Sequence, residues 1–369
     1  MSDAIPKFLR AKTGSSLITG VAVVLLFGFF LLLGSSKGLT WPQYLQLIVD
    51  GLRGGAIYAL VALGFVTVFN VTGIINFTQG GFVMLGAMTC VSYFNMPALS
   101  SIPASWRMAL AALMSIVTVG LVGAAIERLA IAPARHSAPL TLIIITVGVY
   151  TMMWGAALLI WGTSPYQLPA FTTLDQKDAL LRFGQLTMDG RVSWVWGSAE
   201  LPKGARFVGV MIKSQSFWIW GSTAAVLAAL AYFFERTITG KALRACAVNR
   251  RAAQLVGISP SRMSLLAFLL AAVLGAIAGV VLAPATTPIY DMGLRPGLKG
   301  FVAAIMGGLV SSPGAVVGGI LLGVLENLGA GVTKAGFKDI FAFVILIVIL
   351  IFRSHGVAGS GATGVEEEH

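Results

Sequence analysis

Charged residues are scarce in this sequence. Only 11% of the 369 residues are Asp, Glu, Lys or Arg, whereas a soluble globular chain carries about 25%. Hydrophobic residues make up 57% of the chain, and 44 residues are glycine, whose small size lets spanning helices approach closely. We therefore expect an all-α polytopic membrane protein rather than a soluble domain.

Cysteine and histidine are scarce as well. His136, His355 and His369 are far apart in sequence and form no recognisable metal or triad pattern. Cys90 lies in an apolar run and Cys246 in a basic segment, so we expect them at different depths or faces and without a disulfide. A membrane-embedded enzyme would need clustered His, Asp or Glu. We therefore predict no catalytic residue, no metal and no cofactor in this chain.

Basic residues outnumber acidic ones and give a formal net charge of +11. The bases are scattered among short loops, which the positive-inside bias explains better than nucleic-acid binding. Bases ahead of the first apolar run place the N-terminus in the cytoplasm. Alternation of sides then predicts that loops 127–138 and 235–262 are cytoplasmic, that 162–216 lies outside and that the C-terminus is cytoplasmic.

Apolar runs predict about eight or nine transmembrane helices, each of which needs about 20 residues to cross the hydrocarbon. The predicted spans are 13–36, 45–69, 82–96, 108–126, 139–161, 217–234, 263–283 and 340–352, with a broken segment at 301–328. The first run fits an uncleaved helix, which we favour because no clear small-x-small cleavage site follows, or a signal peptide. Together they form one membrane domain, residues 1–353, followed by a disordered tail, residues 354–369.

Residues 162–216 are less apolar and predict a small extracytoplasmic insertion. Within it, RFGQLTMDGRVSWVW (residues 182–196) alternates roughly between apolar and polar side chains around an Asp-Gly pair at 189–190. This pattern indicates a β-hairpin, so we expect a hairpin cap on an otherwise helical protein.

Two apolar segments are interrupted by polar, Gly-rich sequence. NVTGIINFTQGG (residues 70–81) is too polar for an ordinary helix interior, and 301–310 is too short to cross the membrane before Ser-Ser-Pro-Gly at 311–314 interrupts it. Each segment also opens on a similar tetrapeptide, GLRG or GLKG. Broken helices at membrane depth are tolerated where they are buried in protein or line a cavity, and paired ones point to a transport path.

The polar residues at these interruptions have two interpretations. Asn76, Gln79, Ser311 and Ser312 either satisfy backbone groups that the breaks leave free or line the substrate path. Glu326 falls inside an apolar run, where a carboxylate is costly and is by default a functional suspect. Because it lies near the end of its helix, a snorkelling or paired structural role is equally open.

The segment 235–262 is markedly basic, with six Lys or Arg against one acid. Read as one helix over 239–258, it places a set of uncharged residues near one face and bases on the others. The uncharged set is Leu243, Ala247, Gln254 and Ile258, and the bases are Lys241, Arg244, Arg250 and Arg251. This pattern fits a helix that docks on a soluble partner, or an ordinary positive-inside loop.

Three stretches together resemble the inner-membrane permeases of the high-affinity branched-chain amino acid ABC transporters. GIINFTQG at 73–80 resembles the family pattern G-x-I-N-F-A-[HQ]-G, and GGLVSSPGAVVGG at 307–319 resembles G-G-x-G-S-x-x-G-A-x-x-G-G. GKALRACA at 240–247, with Ala252, Ala253 and Gly257, resembles the cytoplasmic loop. Order and spacing agree over about residues 44–352. The sequence departs from the family at Thr78 and Val310, and Arg251 stands where the docking motif carries Glu.

The resemblance implies an importer subunit of the bacterial inner membrane. Its partners would be a second homologous permease, two cytoplasmic ATPases, a periplasmic solute-binding protein and membrane lipids. No G-x-x-x-x-G-K-[ST] loop occurs, so ATP would be bound by the partners. The coupling residues would be Lys241, Arg244, Arg250, Arg251, Ala252, Ala253 and Gly257.

The solutes would be branched-chain amino acids or related amides, urea or aromatic acids, carried by alternating access. An ion-coupled secondary transporter centred on Glu326 is the alternative, and a channel would need no coupling helix.

Overall fold

A computed structural model describes residues 28–30, 32–172, 179–188, 191–197, 206–333 and 335–352. Most of the predicted first span, the Asp-Gly turn at 189–190 and the predicted tail at 354–369 lie outside the described residues. Within them the chain is mostly helical, with one small sheet between the fourth and fifth helices.

The helices with more than three residues are numbered here in chain order. They are α1 (Trp41–Thr72), α2 (Gln79–Phe94), α3 (Ala104–Ile126), α4 (Pro139–Trp161), α5 (Ser214–Arg236), α6 (Ile238–Val248), α7 (Arg250–Leu255), α8 (Pro260–Leu282), α9 (Leu294–Gly307), α10 (Ser312–Val332) and α11 (Lys338–Phe352). A π-helical turn at Glu127–Ile131 continues α3 to Ala134. Short 3₁₀ turns occupy Pro97–Leu99, Ala283–Ala285 and Ala335–Phe337.

Six of the described helices are long and apolar enough to cross a membrane. They are α1, α3 with its extension to Ala134, α4, α5, α8 with its extension to Ala285, and α10. Two further helices that we predicted as spans, α2 and α11, have 16 and 15 residues. The polytopic helical fold is confirmed, and the predicted fourth to seventh spans coincide with α3, α4, α5 and α8.

The centre of the bundle is the antiparallel contact of α1 with α10. Small residues make it possible: a methyl group added at Gly55 would lie 2.7 Å from the Ile320 Cα atom, and one at Gly323 would lie 2.4 Å from the Gly51 carbonyl oxygen. The middle of α1 is consequently fully buried, since Leu60, Val61 and other residues there have no exposed surface. Helices α3 and α4 expose long apolar faces instead, as expected of surfaces that meet lipid.

The insertion forms a three-stranded antiparallel sheet of β1 (Ala179–Met188), β2 (Arg191–Gly197) and β3 (Arg206–Lys213), in the order β2-β1-β3. Met188 pairs with Arg191, so the predicted hairpin is confirmed. The third strand was not predicted, and the fold is mostly helical rather than all-α. The Met211 backbone binds the Gln46 side chain at 2.7 and 3.2 Å and ties the sheet to α1. We call this side of the bundle the sheet end.

Both predicted interruptions exist, and the second lies elsewhere than predicted. Helix α1 ends at Thr72, Gly73 adopts a left-handed conformation with φ of 71°, and α2 begins at Gln79. The second interruption spans 308–311, whereas we expected 311–314. Ser-Pro-Gly begins α10 rather than breaking it, because Ser311 caps the helix and Pro313 fits its first turn.

The basic segment is two short helices rather than one. Asn249 has an extended backbone and separates α6 from α7. The break changes the buried face: Leu243, Cys246 and Ala253 are buried, whereas Ala247 and Gln254, which we placed on that face, are exposed. We call this side of the bundle the basic end.

Candidate functional site

At the first interruption, side chains take over the hydrogen bonds that the helix gives up. The Asn76 carboxamide oxygen accepts a hydrogen bond from the Thr78 backbone N–H at 3.1 Å and another from its hydroxyl. Phe77 N–H donates to the Thr146 hydroxyl on α4 at 3.2 Å. Gln79 Nε2 donates to the Ala271 carbonyl on α8 at 3.1 Å. The interruption is thus fastened to the two helices beside it.

Within the described part of the chain, not every polar atom of these side chains forms a hydrogen bond. Asn76 Nδ2 and Gln79 Oε1 are buried without a hydrogen-bond partner among the described residues, and both side chains have no exposed surface. A buried polar atom without a partner costs about 1–3 kcal/mol. Such atoms in a membrane helix break are candidates for contact with a passing solute, while Asn76 Oδ1 and Gln79 Nε2 have the structural role.

The second interruption uses its serines differently from one another. Ser311 Oγ accepts a hydrogen bond from Gly314 N–H at 3.1 Å, which makes Ser311 the N-cap of α10. Ser312 lines a largely apolar cavity of about 700 Å³ at the basic end, together with residues of α1, α5 and α6. Asn70 Nδ2 donates to the Val310 carbonyl at 3.1 Å and so joins the end of α1 to this interruption.

Three phenylalanine rings lie together at the two broken segments. Phe77 comes from the first interruption, Phe65 from α1 and Phe301 from α9, and their ring centroids are 5.2 to 6.4 Å apart. These distances lie in the range of aromatic pairs, with Phe65 and Phe77 edge to face and the other two pairs tilted. The apolar cluster thus joins the first interruption to α1 and α9.

A network of charges with a buried centre, Lys299 and Glu326, connects α9, α10 and α11. Lys299 Nζ lies 2.7 Å from Glu326 Oε1 and 2.6 Å from Asp339 Oδ1. The Tyr58 hydroxyl donates to Glu326 Oε1 at 3.4 Å, and Lys338 Nζ lies 3.7 Å from the same oxygen. Glu326 has no exposed surface, and its Oε2 atom has no partner among the described residues. Of the two structural roles left open for Glu326, the paired one is present.

At the basic end, α6 and α7 pack against the spanning helices. Leu243, Cys246 and Ala253 form an apolar cluster with Val71 of α1 and Met263 of α8. Each short helix has a side-chain cap. Thr237 Oγ1 accepts from Gly240 N–H at 3.0 Å, and Asn249 Oδ1 accepts from Ala252 N–H at 2.9 Å.

The outer surface of this segment combines bases with exposed apolar side chains. Lys241, Arg244 and Arg251 are exposed and Arg250 is half-buried. Val248, Leu255 and Val256 are 87%, 89% and 75% exposed. Of the small residues that we assigned to coupling, Ala252 and Gly257 are exposed, whereas Ala253 is turned inward.

Sequence reasoning missed the residues around Glu326 and the apolar side chains of the basic segment. Lys299 was available as a signal, because it is a cation just before an apolar run. Its pairing with an acid 27 residues further along requires knowledge of how α9 packs on α10. Val248 and Leu255 were visible as apolar residues outside the uncharged face that we expected. They attract attention only once α6 and α7 are known to be separate helices.

Comparison with known proteins yields one family. Residues 47–351 match the family described as "Branched-chain amino acid transport system / permease component". The high-affinity branched-chain amino acid transport system permease protein BraD of Pseudomonas aeruginosa is 33% identical over 321 residues, which are 86% of this chain and 96% of BraD. The permease proteins LivH of Salmonella typhimurium and Escherichia coli are 31% and 30% identical over 318 residues, with the same two coverages. The matched region contains both interruptions and the basic segment.

Proposed function

The chain belongs to the family of permease components of branched-chain amino acid transport systems, and from this premise we propose that it carries branched-chain amino acids or related small amphipathic solutes across the bacterial inner membrane. It is a multi-pass membrane transport protein and not an enzyme. Transport proceeds by alternating access, driven by ATP hydrolysis in partner subunits. The related solutes are amides, urea and aromatic acids.

The proposed assembly contains this chain, a second homologous permease, two cytoplasmic ATP-binding subunits and a periplasmic solute-binding protein. The sheet end then faces the periplasm, and the basic end and both termini face the cytoplasm. Nine spans result if the short helices α2 and α11 and the first apolar run join the six long helices. Helix α9 runs back from the sheet end to the interruption at 308–311 and supplies the further crossing that places both termini on one side. The positive-inside bias supports this orientation, since the segment 235–262 carries six bases and one acid.

One observation carries the coupling proposal: the basic segment packs directly beneath the first interruption. Leu243 and Cys246 of α6 contact the cluster that contains Val71, two residues before the left-handed Gly73. A rigid displacement of α6 and α7 therefore acts on the end of α1, where the helix is already broken. The break is tolerated because side chains satisfy its backbone groups, as the Asn76 carboxamide oxygen does for Thr78 N–H, and we propose that the chain bends there.

The docking surface is the exposed side of α6 and α7. Val248, Leu255 and Val256 form an exposed apolar surface, which is typical of a site that a partner protein covers. Lys241, Arg244 and Arg251 border these side chains and also reach anionic lipid headgroups. Ala253 stabilises the attachment of α7 to the membrane domain instead of touching the ATPase, and Arg250 lies at the boundary between the two surfaces.

The substrate path lies at the paired interruptions. Asn76 and Gln79 offer their unpaired amide atoms, Ser312 lines the cavity at the basic end, and Ser311 holds the start of α10 in place. The cluster of Phe65, Phe77 and Phe301 is the proposed barrier between this cavity and the sheet end. Glu326 contributes through its ion pair rather than by coupling an ion to transport.

The experiment is ATP-driven uptake of radiolabelled L-leucine by the assembly reconstituted in vesicles, after co-purification of its subunits. Ala252→Trp places a bulky side chain on the exposed side of α7, and we expect it to abolish uptake while the protein still inserts. Ala252→Ser is the matched control and retains uptake. Gly257 has φ of +84°, so any side chain at this position strains the backbone. Gly257→Ala introduces that strain alone, whereas Gly257→Trp introduces the same strain and a bulky side chain.

If this chain purifies without ATP-binding subunits and still transports, the ABC assembly is refuted. Full uptake by both tryptophan variants, with normal ATPase binding, refutes docking at α7.

A further inference from the structure

A second cavity, at the sheet end, gathers charged side chains that the coupling mechanism does not use. It has a volume of about 480 Å³ and lies between α1, the loop 283–293, α9 and the start of α11. We call it the outer vestibule. Tyr58, Lys299 and Asn327 line its buried side, and cavities of about 300–1,000 Å³ are typical of small-molecule sites.

The vestibule reaches deep into the bundle. Helix α1 has 32 residues. At a rise of about 1.5 Å per residue, Tyr58 lies about 26 Å from its start in a helix about 48 Å long. Lys299, whose ammonium lies 5.5 Å from the Tyr58 ring centroid, is at the same depth. Charged side chains held near the middle of a spanning helix are expensive and mark ligand or ion pathways.

The cations of the vestibule differ in how tightly they are paired. Lys299 is held by two carboxylates at 2.7 and 2.6 Å. Lys338 lies 3.7 Å from Glu326, and Arg295 lies 3.9 Å from Asp339. The side chains of Lys338 and Arg295 are 39% and 82% exposed. These two cations are therefore able to accept a further anionic partner without leaving a buried carboxylate unpaired.

Carboxylates line the same cavity. Asp50 on α1 and Asp291 in the loop before α9 both lie on its wall. Asp50 is 3.5 Å from Arg53 and accepts a hydrogen bond from Gln46 Nε2 at 2.9 Å, which fixes its position. Charges of both signs thus line one cavity, a composition that suits a ligand with separated positive and negative groups.

We propose that the outer vestibule binds the head group of a zwitterionic α-amino acid on its way to the phenylalanine cluster. The ligand carboxylate lies between Lys338 and Arg295, and its ammonium group faces Asp50 and Asp291. Lys299 is a positioning residue, because it fixes the two carboxylates next to which Lys338 and Arg295 stand. The site rests on the proposed transport function and gives it a substrate-recognition step within the permease itself.

The rest of the lining suits an aliphatic side chain. Ile57, Leu282, Ile289 and Met292 are apolar residues of the vestibule. A ligand that lacks the carboxylate keeps these apolar contacts but loses the charge-assisted hydrogen bonds to Lys338 and Arg295. Discrimination between an amino acid and its amide therefore reports the head-group contacts specifically.

The experiment measures equilibrium binding of tritiated L-leucine to the complete membrane assembly in lipid nanodiscs, without the solute-binding protein. L-leucinamide, which lacks the carboxylate, and 4-methylpentanoate, which lacks the amine, serve as competitors. We expect Arg295→Gln and Lys338→Gln each to weaken leucine binding about ten-fold or more and to abolish the preference for leucine over leucinamide. Lys338→Arg keeps the cation and restores binding, which separates loss of charge from loss of folding.

Arg107→Gln is the matched control. It removes one cation at the same end of the bundle, where Arg107 lies over the Phe94 ring at 4.2 Å, outside the vestibule. Binding by this variant stays at the wild-type level.

The proposal is overturned if wild-type protein binds no leucine, if it binds leucine and leucinamide equally, or if both glutamine variants keep wild-type affinity. Wild-type uptake by the double variant Arg295→Gln/Lys338→Gln overturns it too and leaves the transport function intact. Absence of ATP-driven uptake in the wild type refutes the transport function instead.

Discussion

Lys299 and Glu326 form a buried ion pair between α9 and α10, with Nζ and Oε1 2.7 Å apart and side chains 7% and 0% exposed. The same ammonium reaches Asp339 at the start of α11, at 2.6 Å. One side chain therefore joins three helices, two of which flank the second interruption. An intramembrane carboxylate that looked like a site for ion coupling is bound by a neighbouring cation.

Lys299→Met should destabilise the protein, because it leaves the Glu326 carboxylate buried without its closest partner. Breaking a buried pair costs about 3–5 kcal/mol, and we expect the lower part of this range since Lys338 is 3.7 Å from Glu326. Thermal unfolding in detergent measures the loss. The double variant Lys299→Met/Glu326→Leu should recover most of it. If the single and double variants unfold alike, the pair contributes nothing.

Gly323→Ala should disrupt the contact of α1 with α10. The added methyl group would lie 2.4 Å from both the Gly51 carbonyl oxygen and the Gly55 nitrogen. Neither backbone atom yields easily, and overpacking costs about 1–3 kcal/mol or more. Gly148→Ala is the matched control, because nothing lies within 4 Å of its new methyl group. The yield of monodisperse protein and its unfolding temperature should fall for Gly323→Ala alone.

Local signals in the sequence were sufficient for elements that depend on local chemistry. The span at Pro139–Trp161 was predicted with its exact bounds, because a proline and the last apolar residue delimit it. The hairpin followed from an Asp-Gly pair within alternating side chains. The error at the second interruption was also local: Ser311 and Pro313 are signals that a helix starts, and we read them as the break itself.

Contacts between elements far apart in the chain could not be predicted from the sequence. The glycines of α1 and α10 indicate close helix packing but not which helices meet. Likewise, Glu326 was recognised as an expensive charge, while Lys299 and Asp339 became its network only through the packing of α9 and α11. The sequence placed Asn76 correctly at the first interruption. It could not show that, among the described residues, Asn76 Oδ1 is hydrogen-bonded and Nδ2 is not, because this depends on the turn around Thr78.

Asn249→Ala should loosen α7 without unfolding the membrane domain. Asn249 Oδ1 accepts the hydrogen bond of Ala252 N–H at 2.9 Å and is the N-cap of a helix of six residues. Loss of such a cap costs about 0.5–2 kcal/mol, which is large for so short a helix. We expect faster hydrogen exchange at 250–255 and weaker coupling of ATP hydrolysis to uptake. Asn249→Asp keeps the acceptor and should behave as the wild type; equal loss in both variants would contradict a capping role.

Cys246 should react slowly with maleimides, and its reaction should need a higher pH than that of an ordinary thiol. The side chain is 4% exposed, and burial raises the pKa of the thiol, an effect that the nearby Arg250 guanidinium offsets only in part. Since the thiolate is the reactive form, a raised pKa means that the rate still increases with pH where a free thiol is already ionised.

The measurement uses Cys90→Ala protein, so that Cys246 is the single thiol, and follows N-ethylmaleimide labelling across pH. Val248→Cys in protein lacking both native cysteines is the control, because Val248 is 87% exposed on the same helix. It should label rapidly and with an ordinary pH profile. Identical rates at the two positions would mean that α6 does not pack against α1 and α8. The mechanical link between the basic segment and the first interruption would then be lost.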